Sequence, residues 1–186
     1  MTPEFLIEHF QLEPLTIEGG MFHLYYRNEE QIAAGALPPR YAHAKATGSG
    51  IVYLHQPYTC SVMHWLNTDE MYHFYGGDAV TMPLLYPDGR VETRILGQQY
   101  DAGHEPFFVV PRDVWQGSFL NAGGKWALLG CTLAPAYDDF ELGVRELLCA
   151  QYPAAAELIR RLTPHDVPFL SATDPRKAGA IRMQIG

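Results

Sequence analysis

Short apolar runs, many of them aromatic or β-branched, follow one another from residue 51 to residue 135. Turn-forming stretches rich in Gly, Pro, Asn and Asp separate these runs, and no helical pattern lies between them. Strands at this spacing predict an antiparallel sandwich or barrel rather than a parallel α/β sheet. The clearest hairpin is YPDGRV, where Pro87 and Gly89 supply the backbone angles of a tight turn.

Helical spacing is confined to the two ends of the chain. Thr2 predicts the cap of an N-terminal helix, and a strand is expected after the glycine pair at 19 and 20. Near the C-terminus, Asp138 or Asp139 predicts the cap of the first of two helices. We therefore predict one domain over residues 1–186, with four parts. These are an N-terminal helix and loop-like arm over 1–50, a barrel over 51–135, C-terminal helices over 136–163 and a tail over 164–186.

Composition and charge exclude several classes of protein. Apolar residues make up 47% and charged residues 18%, which is a globular balance. The net charge of −8 argues against nucleic-acid and anionic membrane partners, which favour clusters of Lys and Arg. Three cysteines, at 60, 131 and 149, indicate neither a disulfide framework nor a cysteine-rich zinc site. With no secretory signal pattern at the N-terminus, we predict a cytoplasmic protein.

The stretch HWLNTDEMYHFYGGD, residues 64–78, concentrates the candidate chemistry. Side chains alternate between the two faces of a strand, so Glu70 and Tyr72 share one face while His73 takes the other. A short turn at 67–69 is expected to join two strands of a hairpin and bring His64 across from Glu70. The pattern therefore predicts a His–Glu pair and excludes His73 from it.

The same stretch resembles the first motif of the cupin superfamily, in which His-x-His is followed by Glu and then by Gly. His64, Glu70 and Gly77 match this motif, whereas Leu66 stands at the second histidine. The stretch PRDVWQGSFLN, residues 111–121, resembles the second cupin motif, with Gln116 at the position of the motif's histidine. With EGG near the N-terminus and LLGCTLAPAYDDFELG near the C-terminus, the likeness narrows to the cupin-5 family.

The resemblance implies an all-β fold, a double-stranded β-helix or jelly-roll barrel with an N-terminal helix and C-terminal helices. It also implies a homodimer, a pocket in the barrel mouth and similarity to sugar-nucleotide epimerases of the RmlC type. Metal cupins gather three histidines and one glutamate, and the equivalent positions here are His64, Leu66, Glu70 and Gln116. This set predicts either no cofactor or a weakly bound divalent ion of iron, manganese, nickel or zinc, held by His64, Glu70 and Gln116.

Three functional hypotheses follow. The first is a cofactor-free isomerase, epimerase, tautomerase or lyase, in which Glu70 orients His64 as general base and Tyr72 supplies the acid. The second is a metal-dependent oxygenase or isomerase, and the third is a small-molecule binder without catalysis. The expected partner is a small-molecule substrate, and the residues expected to bind it are Gln116, Trp115, Phe74 and Tyr53.

Overall fold

The computed structural model describes residues 1–137, 139–164 and 180–184, the last group and residue 139 by their backbone alone. The strands are β1 Glu13–Pro14, β2 Met21–Arg27, β3 Gln31–Ile32, β4 Lys45–Ala46, β5 Ser49–His55, β6 Cys60–Trp65, β7 Glu70–Gly77, β8 Val80–Leu85, β9 Val91–Leu96, β10 Phe107–Val110, β11 Trp115–Leu120, β12 Ala127–Leu133, β13 Asp139–Gly143 and β14 Ala180–Gln184. The α-helices are α1 Pro3–Phe10, α2 Arg145–Gln151 and α3 Ala156–Leu162, and single 3-10 turns span Ala34–Ala36, Tyr100–Ala102 and Pro153–Ala155.

Two six-stranded antiparallel sheets form the barrel. Sheet I has the order β1-β2-β5-β12-β7-β10, and sheet II has the order β14-β13-β6-β11-β8-β9. Apolar side chains from both sheets meet between them in one core cluster, which includes Tyr72 and Leu129 from sheet I and Met82 and Leu120 from sheet II. This architecture confirms the predicted all-β jelly-roll barrel with terminal helices. A hairpin at residues 86–90 joins β8 to β9 as predicted.

The alternation of side chains in β11 shows how the sheets separate a cavity face from a helix face. Gln116 and Leu120 point between the two sheets, toward Glu70 and the barrel core. Trp115 and Phe119 point the other way and pack in a second cluster with the buried side chains of α2 and α3. At Gly117 an added Cβ would press on Ser61 and on α3, so glycine lets the helix approach the sheet closely.

The terminal segments extend the sheets beyond the predicted barrel limits of 51 and 135. Thr2 caps α1 as predicted, because its hydroxyl accepts a hydrogen bond of 3.3 Å from the amide of Phe5. The strand β2, which follows the glycine pair, pairs with β5 in sheet I. In the part of the chain that the structure describes, no helix is long and apolar enough to cross a membrane.

The predicted helix start at Asp138 or Asp139 is wrong where it can be compared, because residues Asp139–Gly143 form β13. Asp138 lies outside the described residues, as do 165–179 and 185–186 of the predicted tail. Phe140 and Leu142 are buried two positions apart, and β13 pairs with β6 in sheet II. The four-residue spacing of Phe140 and Val144 also suits a helix, so the pairing with β6 decides the structure. Helix α2 then begins at Arg145.

The C-terminal helices are expected to stabilise sheet II. Ile159 of α3 is fully buried in the cluster beneath β11, so Ile159→Ala should lower the free energy of unfolding by about 3 kcal/mol. Glu157→Ala on the exposed side of the same helix is the control and should change it by less than about 0.5 kcal/mol. Chemical denaturation followed by circular dichroism measures both, and equal effects would contradict the assigned packing.

Candidate functional site

A cavity of about 460 Å³ lies between the two sheets, and most of its surface is apolar. Leu15, Phe22 and Ile51 are among its apolar lining residues. Its ionisable side chains are Glu13, Glu18, Arg27, His64 and Glu70, to which tyrosine, serine and cysteine side chains add weaker polar groups. An apolar cavity with a few convergent polar groups is the form that small-molecule sites usually take.

His64 projects into this cavity from β6 of sheet II, and only 2% of its surface is exposed. Its Nδ1 atom lies 2.7 Å from the carbonyl oxygen of Val62. A carbonyl oxygen can only accept a hydrogen bond, so Nδ1 carries the proton in the neutral ring. Nε2 then keeps a free lone pair, which is the requirement for a general base.

Glu70 begins β7 of sheet I and faces His64 from the opposite sheet. Its Oε2 accepts hydrogen bonds from the Tyr72 hydroxyl, at 3.1 Å, and from Gln116 Nε2, at 2.6 Å. The bond from Gln116 crosses from sheet II to sheet I, and Gln116 is the register partner of His64. Both bonds end on Oε2, so Oε1 stays available to a molecule in the cavity.

Glu18 brings a second carboxylate to the same cavity. Its Oε1 accepts a hydrogen bond of 2.5 Å from the Ser61 hydroxyl and lies 3.9 Å from His64 Nδ1. The next residue, Gly19, has a φ of +99°, and a Cβ there would overlap the carbonyl oxygen of Cys60. Glycine therefore lets the turn fold tightly against β6 and fixes the position of Glu18.

Burial has a large effect on Glu70. Loss of water raises the pKa of its carboxyl from 4.5 to about 7, and the charge of Glu18 acts in the same direction. His64, Gln116 and Tyr72 oppose this rise. Desolvation also raises the pKa of Tyr72 well above its usual value, with Glu70 as the next cause. Near neutral pH, Glu70 therefore exchanges a proton readily whereas Tyr72 keeps its own.

The structure places the other predicted site residues differently. Tyr53 lines the cavity, and its hydroxyl donates to the carbonyl oxygen of Gly19 over 2.7 Å. Phe74 packs against the barrel core and is not among the lining residues that the structure describes. Trp115, contrary to expectation, lies outside the cavity beneath the C-terminal helices, because it precedes Gln116 and so takes the opposite face of β11.

Two geometrical expectations need correction. β6 and β7 do not form a hairpin, since they belong to different sheets and the turn at 67–69 crosses between them. Val62, rather than Glu70, makes the hydrogen bond that orients the His64 ring, while Glu70 bonds to Tyr72 and Gln116. Glu70 and His64 nevertheless line the same cavity. His73 lies on the outer face, as alternation predicts, and bonds to Thr132.

Sequence reasoning missed Glu18 and Ser118 as lining residues. Each had a signal in the chain. Glu18 precedes the glycine pair before β2, and adjacent glycines often mark a turn whose backbone packs closely against a neighbouring segment. Ser118 lies two residues after Gln116 on β11, and residues two apart on a strand share a face.

The family model described as cupin superfamily (DUF985), the cupin-5 family, matches residues 4–143. The chain belongs to this family. The match confirms the resemblance found in the motifs. A comparison with curated proteins gives no match to this cupin.

Solved structures agree with the family. A protein from Shewanella oneidensis is 30% identical, with a TM-score of 0.77, over 88% of this chain and 98% of its own. A hypothetical protein from Leishmania major is 24% identical, with a TM-score of 0.77, over 88% of this chain and 99% of its own. An oxalate decarboxylase is 14% identical, with a TM-score of 0.50, over 82% of this chain and 38% of its own. The last two likenesses show the fold alone.

The residues at the metal positions of metal cupins do not fit a tightly held ion. Leu66 lines the cavity with no donor atom, and Gln116 turns its Nε2 toward Glu70. Within residues 1–137 and 139–164 and the short strand at 180–184, no three His, Cys, Asp or Glu side chains are placed to share an ion. His64 and Glu70 alone are fewer ligands than iron, manganese, nickel or zinc sites employ.

The raised pKa of Glu70 predicts a pH-dependent stability. The protonated carboxyl contributes stability that is fully present below pH 4.5 and is lost as the pH rises through about 7. Glu70→Gln removes this loss. We expect the variant to gain about 3 kcal/mol relative to wild type between pH 4.5 and pH 8, as measured by urea denaturation at a series of pH values.

Glu13→Gln is the control for this series, because Glu13 lies on the exposed side of the cavity. The difference in unfolding free energy between this control and wild type should stay constant over the same pH range. A constant difference for Glu70→Gln as well would show that its carboxyl titrates alike in the folded and unfolded chain.

Proposed function

We propose that this cupin acts on a small carbonyl compound in the barrel cavity and transfers a proton without a metal, as an isomerase, epimerase, tautomerase or lyase. His64 is the base and Glu70 is the acid. The observation that carries the proposal is that His64 and Glu70 enter one cavity from opposite sheets, each held by hydrogen bonds that leave one atom free. Those atoms are Nε2 of His64 and Oε1 of Glu70.

The proposed reaction needs two proton movements. Nε2 of His64 takes a proton from the carbon beside the carbonyl group, and Glu70 gives its proton to the carbonyl oxygen, which forms the enol. Return of a proton to carbon and release of the hydroxyl proton to Glu70 complete an isomerisation or epimerisation. A carboxyl with a pKa of about 7 suits this exchange, since it is present in both protonation states near neutral pH.

Tyr72 has a different part from the one expected. Because its hydroxyl donates to Glu70 and its pKa lies well above the usual value, Tyr72 positions the acid rather than acting as the acid. Gln116 positions the same oxygen from the other sheet. The apolar lining around these groups excludes water from the reacting atoms, which strengthens their electrostatic interactions.

Proton exchange in heavy water tests this proposal. Wild-type protein treated with EDTA should replace α-protons of its substrate, sought by NMR in a panel of small ketones and 2-hydroxy aldehydes. His64→Ala should lower the exchange rate by at least about 100-fold, because it removes the base. His73→Ala, on the outer face of the same sheet as Glu70, is the matched control and should leave the rate unchanged.

Three results would overturn the proposal. If His64→Ala exchanges protons as fast as wild type, His64 is not the base. If EDTA abolishes the exchange, the metal-dependent alternative is indicated. Ligand binding without any exchange across the panel indicates a small-molecule binder.

The carboxylate of Glu18 should raise the upper pH limit of this exchange. The groups that act on Glu70 are His64, Glu18, Tyr72 and Gln116, and Glu18 is the like charge among them. Glu18→Gln removes that charge and keeps an acceptor for Ser61. The pKa of Glu70 then falls, so the loss of exchange at alkaline pH should begin at a lower pH than in wild type. Glu13→Gln should not move this limit.

A further inference from the structure

Ser118 and His55 form a second hydrogen-bonded pair between the two sheets. Ser118 lies on β11 of sheet II and lines the cavity, and His55 ends β5 of sheet I. The Ser118 Oγ atom lies 2.8 Å from His55 Nε2. The exposed fractions are 1% for Ser118 and 0% for His55, so neither side chain meets bulk solvent.

The other ring nitrogen of His55 determines the direction of this hydrogen bond. His55 Nδ1 is buried and has no hydrogen-bond partner among the residues that the structure describes. A neutral imidazole carries one proton, on either Nδ1 or Nε2. A proton on Nδ1 would leave a buried N–H without an acceptor, and such orphaned donors are rarer in proteins than unpaired acceptors. The proton therefore belongs on Nε2, which donates it to Ser118.

We infer that Ser118, having accepted this bond from His55, presents its own hydroxyl hydrogen to an acceptor oxygen of the molecule in the cavity. A serine hydroxyl has one hydrogen and can accept at the same oxygen. Hydrogen bonds in series strengthen one another, so donation from His55 makes Ser118 a better donor. The inference rests on the proposed function in placing the guest in this cavity with one carbonyl oxygen at Glu70.

Three of the other hydroxyl groups of the cavity already give their hydrogens to partners within the protein. Ser61, the register partner of Ser118, gives its hydrogen to Glu18. Tyr53 gives its hydrogen to Gly19 and Tyr72 gives its own to Glu70. Ser118 thus differs from three other hydroxyl groups of the cavity, whose hydrogens are already bound within the protein. It lies about 7 Å along β11 from Gln116, and so from the end of the cavity where Glu70 is held.

The ligand class follows from this arrangement. A guest that offers one carbonyl oxygen to Glu70 and a second acceptor oxygen to Ser118 satisfies both donors. A dicarbonyl compound is therefore expected to bind more tightly than a monocarbonyl compound of similar size.

The tautomer is tested without any ligand, by long-range proton–nitrogen NMR on protein labelled with 15N-histidine. His55 should show a protonated Nε2 and an unprotonated Nδ1. A protonated Nδ1 overturns the inference, because Ser118 would then donate to the ring. The loss of a signal in His55→Gln identifies the His55 signal. If His55→Gln does not fold, the signal that shifts in Ser118→Ala identifies it instead. His73 is the internal control, since its Nε2 also meets a hydroxyl group, of Thr132 at 2.9 Å, but on the partly exposed outer face.

The ligand class is tested with 1,4-cyclohexanedione and cyclohexanone as probes, by NMR titration. Wild-type protein should bind the dione about fivefold more tightly than cyclohexanone, and Ser118→Ala should lose this preference. Thr132→Ala, which removes a hydroxyl group from the outer face of sheet I, is the matched control and should keep it. A dione that binds no better than cyclohexanone to wild type, whether both bind or neither does, overturns the ligand assignment. Neither outcome depends on proton exchange, which tests the proposed function separately.

Discussion

The hydrogen bond from Gln116 to Glu70 is the contact on which the geometry of the site depends. It spans 2.6 Å between the two sheets and ends on a carboxyl that is 6% exposed. A buried carboxyl without donors is costly, and one that is held by two donors loses its freedom to rotate. Gln116 and Tyr72 together fix Oε2, so Oε1 has a defined direction. The position of Oε1 therefore follows from the two hydrogen bonds that Oε2 accepts.

The same requirement governs the rest of the cavity. Buried polar groups need partners, and here the partners come from distant parts of the chain: Ser61 with Glu18, and Ser118 with His55. Each pair tightens the barrel and also decides which atoms face the interior. The hydroxyl groups of Ser61, Tyr53 and Tyr72 give their hydrogens to partners within the protein, whereas Nε2 of His64 and Oε1 of Glu70 face the cavity without such a bond. A guest is thus selected by the hydrogen bonds that folding leaves unmade.

Period-two alternation predicted the orientation of β7 correctly, with Glu70 and Tyr72 inside and His73 outside. The assignment of Trp115 to the pocket departed from this rule, because Trp115 precedes Gln116 and neighbours on a strand take opposite faces. The hairpin expected for His64 and Glu70 was wrong for another reason. A three-residue turn can join paired strands or cross between sheets, and only the pairing of β6 with β11 and β13 distinguishes the two. Such long-range pairing has no local signal.

The contrast with metal cupins lies in what neutralises the buried carboxyl. A carboxylate in an apolar cavity can lower its cost by coordinating a cation or by taking up a proton. Leu66 and Gln116 stand at two of the ligand positions that the family resemblance identifies, so this donor set is short of ligands for a cation. Glu70 then takes the second course, and its pKa rises to about 7. The barrel thus has fewer ligands than a metal cupin gathers, and its buried carboxyl keeps a proton to a higher pH than usual. The neighbouring charge of Glu18 acts in the same direction, because it helps to keep the proton on Glu70.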